Sequence, residues 1–222
     1  MAYLFGGSTL AIGIPYRYIT EDILTYLDKA SIKLEPRVNR RHFIKGRNPS
    51  CIIRLVNSTM LPDLVEDGLI DLAILPSVDF KESQTFAVPL VELNMPVARL
   101  MLGISKSLPL VPLKSLPITC VLTRTPRLTK EFLERNKLKW KMKVVRGLTE
   151  SLASIYGKHY AVVEYVRSGE TMAANGLVPI VNVAYSSVLV VAHPKKVNSR
   201  QIVRLKKQLL LLSRNPKKHG VN

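Results

Sequence analysis

The chain is short of cysteine, of aromatic residues and of acids. Its 222 residues include two cysteines, Cys51 and Cys120, without a C-x-x-C spacing, and four scattered histidines, His42, His159, His193 and His219. A disulfide framework is excluded, and no zinc-ligand pattern is present. Aromatic side chains are 6% of the chain, and neither an aromatic-rich RNA-recognition motif nor a zinc finger occurs. Gly6-Gly7-Ser8 lacks a following Gly-Lys-Ser/Thr, which excludes a phosphate-binding P-loop. The uncharged stretch from Thr171 to Pro194 is interrupted by Asn175, Gly176, Pro179, Asn182, Ser186 and Ser187, so it reads as strands and a turn rather than a membrane helix. Apolar Met1 to Pro15 has no basic residue ahead of it, unlike a signal peptide, and a reducing cytoplasmic setting is expected.

What the chain has in excess is positive charge: 33 Lys+Arg against 16 Asp+Glu, a formal +17. Apolar residues reach 47%, enough for a buried core, so the charge belongs to a folded protein and not to a disordered tail. The length suits one large domain or two lobes of roughly 100 residues each.

Strand and helix signals alternate along the chain. Thr9 to Pro15 is a short apolar run closed by proline. Thr20-Glu21-Asp22 then opens a helix through Ile23, Leu24, Tyr26, Leu27 and Ala30, with Thr20 as its expected cap. Val38 to Asn57 reads as a hairpin with a basic turn at Gly46 to Pro49, Leu61 to Gly68 as a helix, and Leu69 to Leu75 as a strand. Two apolar runs flank Asn94-Met95-Pro96. Further on come a helix at Thr129–Asn136, a lysine-alternating strand at Trp140–Val145, a helix at Leu148–Tyr156, a strand at Tyr160–Val166 and a helix at Ser168–Ala174. Strands at Leu177–Val183 and Ser187–His193 follow. A last helix spans Asn198–Leu212, with Ile202, Val203, Leu205, Leu209, Leu210 and Leu212 on its apolar side. This alternation predicts an α/β fold with mixed sheets.

The stretch Ala161-Val162-Val163-Glu164-Tyr165-Val166-Arg167-Ser168-Gly169-Glu170-Thr171 carries the clearest chemical signal. A buried strand delivers an acid near its carboxyl end, a Ser-Gly turn follows, and a helix opens. Its amides and the Ser168 and Thr171 hydroxyls favour an anion, while the acid is placed to grip ribose hydroxyls. The same residues also suit a plain helix capped by Ser168 and closed by Asn175-Gly176.

VVEYVRSGETMAANGL resembles the 5-phosphoribosyl 1-pyrophosphate (PRPP) loop of the ATP phosphoribosyltransferases that begin histidine biosynthesis. Leu122–Thr129 (LTRTPRLT), Gly147 with Glu150, and Leu61-Pro62 with Val65, Gly68 and Asp71-Leu72-Ala73-Ile74 are similar to further segments of that family, as is Arg99 in VARLMLGI. The likeness spans roughly residues 10 to 193. It implies a two-lobed fold like type II periplasmic binding proteins, with a cleft between lobes. The first lobe would be 1–90 plus 182–222, and the second 91–181, carrying the PRPP loop. It implies attack of ATP N1 on C1 of PRPP, with Mg2+ on the departing pyrophosphate and no certain metal ligand from the protein. By position, Glu164 would hold the ribose, and Ser168, Gly169, Glu170 and Thr171 the 5′-phosphate. Arg17, Arg54 and Arg99 become candidates for pyrophosphate or ATP contact. The short form also implies a regulatory partner subunit in a hetero-oligomer.

The departures fall mostly on the ATP side. Pro15-Tyr16-Arg17-Tyr18-Ile19 replaces a Lys-x-Gly-Arg type loop, Val56–Met60 replaces an arginine-rich segment, Pro76 replaces a glycine, and Tyr160 stands where a second acid is expected. A relative that binds phosphorylated ligands without turnover is one alternative. A basic nucleic-acid-binding protein is the other, because residues 195 to 222 carry nine Lys/Arg and no acid.

Overall fold

The computed structural model describes residues 9–16, 19–37, 41–48, 50–147 and 149–214. Arg17 and the segment 216–222 lie outside them. The chain divides into two compact units, residues 1–96 with 187–222, and residues 97–186.

In the first unit, β1 (Leu10–Pro15) leads to α1 (Thr20–Lys29), and β2 (Lys33–Leu34), β3 (Phe43–Asn48) and β4 (Cys51–Val56) follow. A 3-10 turn (Ser58–Met60), α2 (Leu61–Glu66), β5 (Leu72–Pro76) and α3 (Ser77–Ser83) complete the run to β6 (Val88–Ser105). The chain returns in the distal half of β10 (Leu177–Ala192) and ends in α7 (Arg200–Arg214). β1 pairs in parallel with β4 and β5, while β10 runs antiparallel to β5 and β3 antiparallel to β4.

Period-two alternation sorts these strands onto two faces. Leu72 and Ile74 of β5, with Val188, Val190 and Ala192 of β10, face a core with Ile23 and Leu27 of α1 and Ile202, Leu205 and Leu209 of α7. Ala73, Leu75 and Val191 face Leu61 and Val65 of α2. Asp71 ties three segments together. Its Oδ2 accepts from the Ala11 amide at 2.8 Å, its Oδ1 accepts from the Lys196 ammonium, and its carbonyl accepts from the His193 amide at 3.2 Å.

Several local features differ from what the sequence predicts. Thr20 does not cap α1; its buried hydroxyl donates to the Pro15 carbonyl at 2.7 Å, and Ile19 holds the cap position. β6 runs unbroken through Pro96, and β10 is one strand of 16 residues rather than two. Val203 is half exposed, because it lies about 100° around α7 from the Ile202-Leu205-Leu209 line. Both cysteines are buried thiols; burial pushes Cys51 up to about 11 and raises Cys120 as well.

The second unit adds β7 (Cys120–Thr123), α4 (Pro126–Arg135), β8 (Lys141–Val144), α5 (Thr149–Tyr156), β9 (Tyr160–Val166) and α6 (Glu170–Ala174). β9 lies between β6, to which it is antiparallel, and β7, to which it is parallel, and β8 pairs in parallel on the far side of β7. Met101, Leu122, Val162 and Val166 pack with Ala153 of α5 and Met172 of α6.

Gly13 tests how closely α2 is seated on β1. A Cβ there would come to 2.5 Å from Leu61 Cδ2 and 2.8 Å from Ile70 Cδ1, both in side chains of the core. Gly13→Val should cost about 1–3 kcal/mol by overpacking, read as a lower urea midpoint with unchanged slope. An unchanged midpoint would mean that α2 shifts freely.

Candidate functional site

Glu164 is the centre of the best-organised polar cluster in the second unit. It sits on β9 with its side chain 5% exposed, on the same face as apolar Val162 and Val166, so strand geometry carries the carboxylate into the interior. Four donors meet it there. Arg124 Nη2 donates to Oε1 at 2.5 Å and the Tyr165 amide to Oε1 at 3.0 Å. The Thr149 hydroxyl donates to Oε2 at 2.7 Å, and the Thr149 amide makes a long contact with Oε2 at 3.5 Å. A carboxylate held this far from water requires such pairing.

Each donor is positioned by its own element. Arg124 follows the last residue of β7, where Thr123 is in register with Val163 of β9. The bend at Arg124 is fixed by buried hydroxyls: Thr123 Oγ1 accepts from the Thr125 amide at 2.9 Å and lies 2.8 Å from Thr129 Oγ1. Thr149 opens α5 just after Gly147, whose φ of +106° gives a turn that other residues rarely adopt. Glu150, the next residue, is 4% exposed. Its carboxyl is raised above the ordinary range first by burial and then by the negative charge of Glu164, against its own backbone hydrogen bond and Arg124. The cluster thus holds two buried carboxyls, of which Glu164 pairs with the Arg124 guanidinium.

The Ser-Gly turn continues directly from β9. Arg167 and Ser168 are exposed, Gly169 takes φ +88° at the cap of α6, and Ser168 Oγ accepts from the Glu170 amide at 3.4 Å. The exposed Glu170 and Thr171 occupy the first turn of α6, where backbone amides lack intrahelical partners. α6 is anchored by Met172, 1% exposed, against Gly103 of β6, where a Cβ would lie 2.9 Å from the Met172 sulfur. Asn175-Gly176 ends the helix: Asn175 Nδ2 donates to the Thr171 carbonyl at 2.8 Å and Gly176 adopts φ +70°.

Of the residues singled out in the sequence, Glu164, Ser168, Gly169, Glu170 and Thr171 fall on this one strand-turn-helix. Exposed Arg99 is on β6, its Cα in register with Val166 at the end of β9. Arg54 belongs to the first unit, on β4 opposite Gly13 and Phe43, and Arg17 lies outside the described residues. Arg124 and Thr149 had no role assigned from sequence. Their signals were a cation directly after an apolar strand and a Gly-x-x-Glu spacing that also contains a hydroxyl. An open pocket of about 310 Å³ lies elsewhere on this unit, lined by Ser105, Lys106, Ser154, Lys158, Tyr160 and Asn175 among others. Tyr160 and Asn175 mark the opposite ends of β9 and α6 from Glu164 and the Gly169 turn, and the pocket includes none of the cluster.

Among the described residues no group of three or more His, Cys, Asp or Glu is arranged to hold a metal ion, and no helix is long and apolar enough to cross a membrane.

Comparison with known proteins places the chain in a family. The model of the ATP phosphoribosyltransferase family matches residues 58–211. The ATP phosphoribosyltransferase of Thermosynechococcus vestitus is 25% identical over 190 residues, covering 84% of this chain and 90% of that protein. Among solved structures, the ATP phosphoribosyl transferase (HisG:HisZ) complex from Thermotoga maritima superposes with a TM-score of 0.73 at 17% identity, over 93% of this chain and 99% of that one. The alkanesulfonate-binding protein SsuA from Xanthomonas axonopodis shares the fold with a TM-score of 0.59 at 11% identity, over 94% and 75% of the two chains. The fold is thus that of type II periplasmic binding proteins. With a family model matched across residues 58–211 and a strand-borne acid leading into a Ser-Gly-x-Thr turn, the chain belongs to the ATP phosphoribosyltransferase family, the phosphoribosyl-transfer enzymes of the first step of histidine biosynthesis.

Proposed function

We propose that Glu164 and the Ser168–Thr171 turn bind PRPP for attack by N1 of ATP. The C1–oxygen bond to pyrophosphate breaks as the new N1–C1 bond forms, and pyrophosphate leaves with the bonding electrons. Positive charge develops on the ribose ring and negative charge on the leaving group, so the protein's task is orientation and electrostatic stabilisation. The observation that carries this assignment is the buried Glu164 carboxylate, four residues ahead of an exposed Ser-Gly turn on a short, anchored helix.

In this reading Glu164 accepts a ribose hydroxyl at Oε2, where the Thr149 amide makes only a 3.5 Å contact. Arg124 pairs with Glu164 at Oε1, and the Thr149 hydroxyl fixes the direction of Oε2. Ser168, the backbone from Gly169 to Thr171 and the Thr171 hydroxyl receive the 5′-phosphate. Glu170 contributes its backbone amide and not its side chain, since its carboxylate repels an anion. Arg99, exposed beside the end of β9, is the candidate cation for pyrophosphate. Magnesium rides on the pyrophosphate as part of the substrate complex, which is its usual mode with phosphates and calls for no all-protein cage. A partner subunit is part of the proposal, supported by the HisG:HisZ composition of the Thermotoga maritima complex. A reducing cytoplasm suits two buried, unpaired thiols.

Thr171→Ala and Gly169→Val should each weaken PRPP binding by about tenfold or more, as expected for losing a hydrogen bond to a charged group or for straining a left-handed residue. Calorimetric titration with PRPP and magnesium checks this, with circular dichroism confirming the fold. Unchanged affinity in both variants would sink the assignment. Glu164→Gln should weaken PRPP more than either while leaving the α-helical signal intact.

Glu150 gives a pH signature. Its folded-state pKa is raised, so its ionisation costs stability once pH climbs through the raised value, and that cost is absent below the unfolded value of about 4.3. Glu150→Gln should therefore raise the melting temperature at pH 7, with the gain shrinking toward pH ~4.3. A gain independent of pH would show that burial and Glu164 do not act on this carboxyl.

A further inference from the structure

Among the described residues β8 ends the strand order of the second unit, paired to β7 on one side, and all four of its side chains are exposed. Its two faces differ. Lys141 and Lys143 project on one side and Met142 and Val144 on the other, the latter 36% and 57% exposed. Arg135, Lys137, Lys139 and Arg146, all exposed, extend the positive charge, and no acid occurs from residue 135 to residue 149. The acids of α4 are already engaged on their own helix, Glu131 with Arg127 at 2.8 Å and Glu134 with Lys130 at 3.8 Å. Lysines alone are a common guard on a sheet edge. Two apolar side chains left in water on the opposite face are not explained by that guard.

We propose that the β8 edge is the docking strand for an extended segment of a partner protein in which acidic and apolar residues alternate. Its backbone continues the sheet, its carboxylates face Lys141 and Lys143, and its apolar side chains cover Met142 and Val144. A second copy of this chain fits poorly, because pairing β8 with itself sets lysine against lysine. A nucleic acid uses the lysines but leaves the apolar face uncovered.

The position of β8 gives such docking a consequence. Val144 is in register with Thr123, and the Val145 amide donates to the Thr123 carbonyl at 2.9 Å. Arg124 is the residue after Thr123, and Thr149 and Glu150 follow β8 within a few residues. β8 thus pairs with the strand that ends at Arg124 and leads along the chain to Thr149, the two residues whose side chains hold Glu164, and its occupant tunes PRPP affinity. This last step rests on the PRPP reading of Glu164; the docking itself does not.

The test uses the full chain and an acetylated peptide of alternating glutamate and valine, about eight residues long to span a typical strand, followed by fluorescence anisotropy. A peptide of the same composition with its glutamates and valines in separate blocks, and an oligouridylate, serve as comparisons. The alternating peptide should bind at least about tenfold more tightly than the block peptide, and the paired changes Lys141→Glu with Lys143→Glu should weaken it about tenfold. Met142→Ser with Val144→Ser should weaken it as well. Equal binding of the two peptides, or indifference to Met142 and Val144, overturns strand docking. Oligouridylate bound more tightly than the peptide assigns the surface to nucleic acid instead. With peptide saturating, PRPP affinity should shift by about fivefold. No shift, in a chain whose Glu164→Gln variant does lose PRPP binding, overturns the coupling without touching the PRPP assignment.

Discussion

A carboxylate withdrawn from water has to be paid for in donors, and the second unit is organised around doing so for Glu164. Leaving one partner of a buried ion pair alone costs about 3–5 kcal/mol, less where the partner is partly wet as Arg124 is. The donors come from three places in the chain, the end of β7, the start of α5 and the amide after Glu164 itself. Each is fixed by something local: buried threonine hydroxyls around Arg124, the Gly147 turn ahead of Thr149, the strand itself for Tyr165. The order of strands β6-β9-β7-β8 is what allows them to converge, because it puts the ends of β7 and β9 side by side.

The excess charge takes on meaning against this background. The second unit alone has fourteen Lys/Arg against five Asp/Glu, and two of those five acids, Glu150 and Glu164, are buried in the cluster. The exposed surface of the second unit is therefore more positive than its composition implies. ATP and PRPP are both polyanions, and such a field raises their encounter rate in a salt-dependent way. The lysine-rich β8 is part of the same field, yet its exposed Met142 and Val144 mark it as a surface with a shape requirement and not only a sign.

The β9-turn-α6 unit was legible in the sequence because it is contiguous: an apolar strand, an acid, Ser-Gly and a short helix closed by Asn-Gly all fall within about 16 residues, and each carries a local signal. Arg124 and Thr149 were not legible as partners of Glu164, since they lie 40 and 15 residues away in sequence and only the sheet order brings them in. β6 and β10 carry local break signals, Asn94-Met95-Pro96 in the first and the Ala184-Tyr185-Ser186 segment in the second. Tertiary pairing along both strands overrides them. α3, seven residues behind Pro76, was missed outright, as a helix that short shows no periodicity to detect. Thr20 misled in a different way. Its hydroxyl could satisfy an amide of its own helix or the carbonyl ending β1, and burial at 4% exposure selected the second.

The two halves of the proposed PRPP site are held with unequal rigidity, and this follows from the elements that bear them. Glu164 lies within a paired strand, its carboxylate fixed by donors from both directions, so the ribose is met by a group that has little freedom to lose. The phosphate turn rests on a helix of five residues whose anchoring side chain is the single buried Met172, seated where Gly103 leaves room. Methionine is the most adaptable of the core side chains, and the turn ahead of it is exposed. A rigid carboxylate with an adjustable phosphate turn suits a reaction in which the ribose must stay oriented while its C1 passes from pyrophosphate to N1 of ATP. The ordering entropy then falls mainly on the turn, where the charged hydrogen bonds to phosphate are strong enough to offset it.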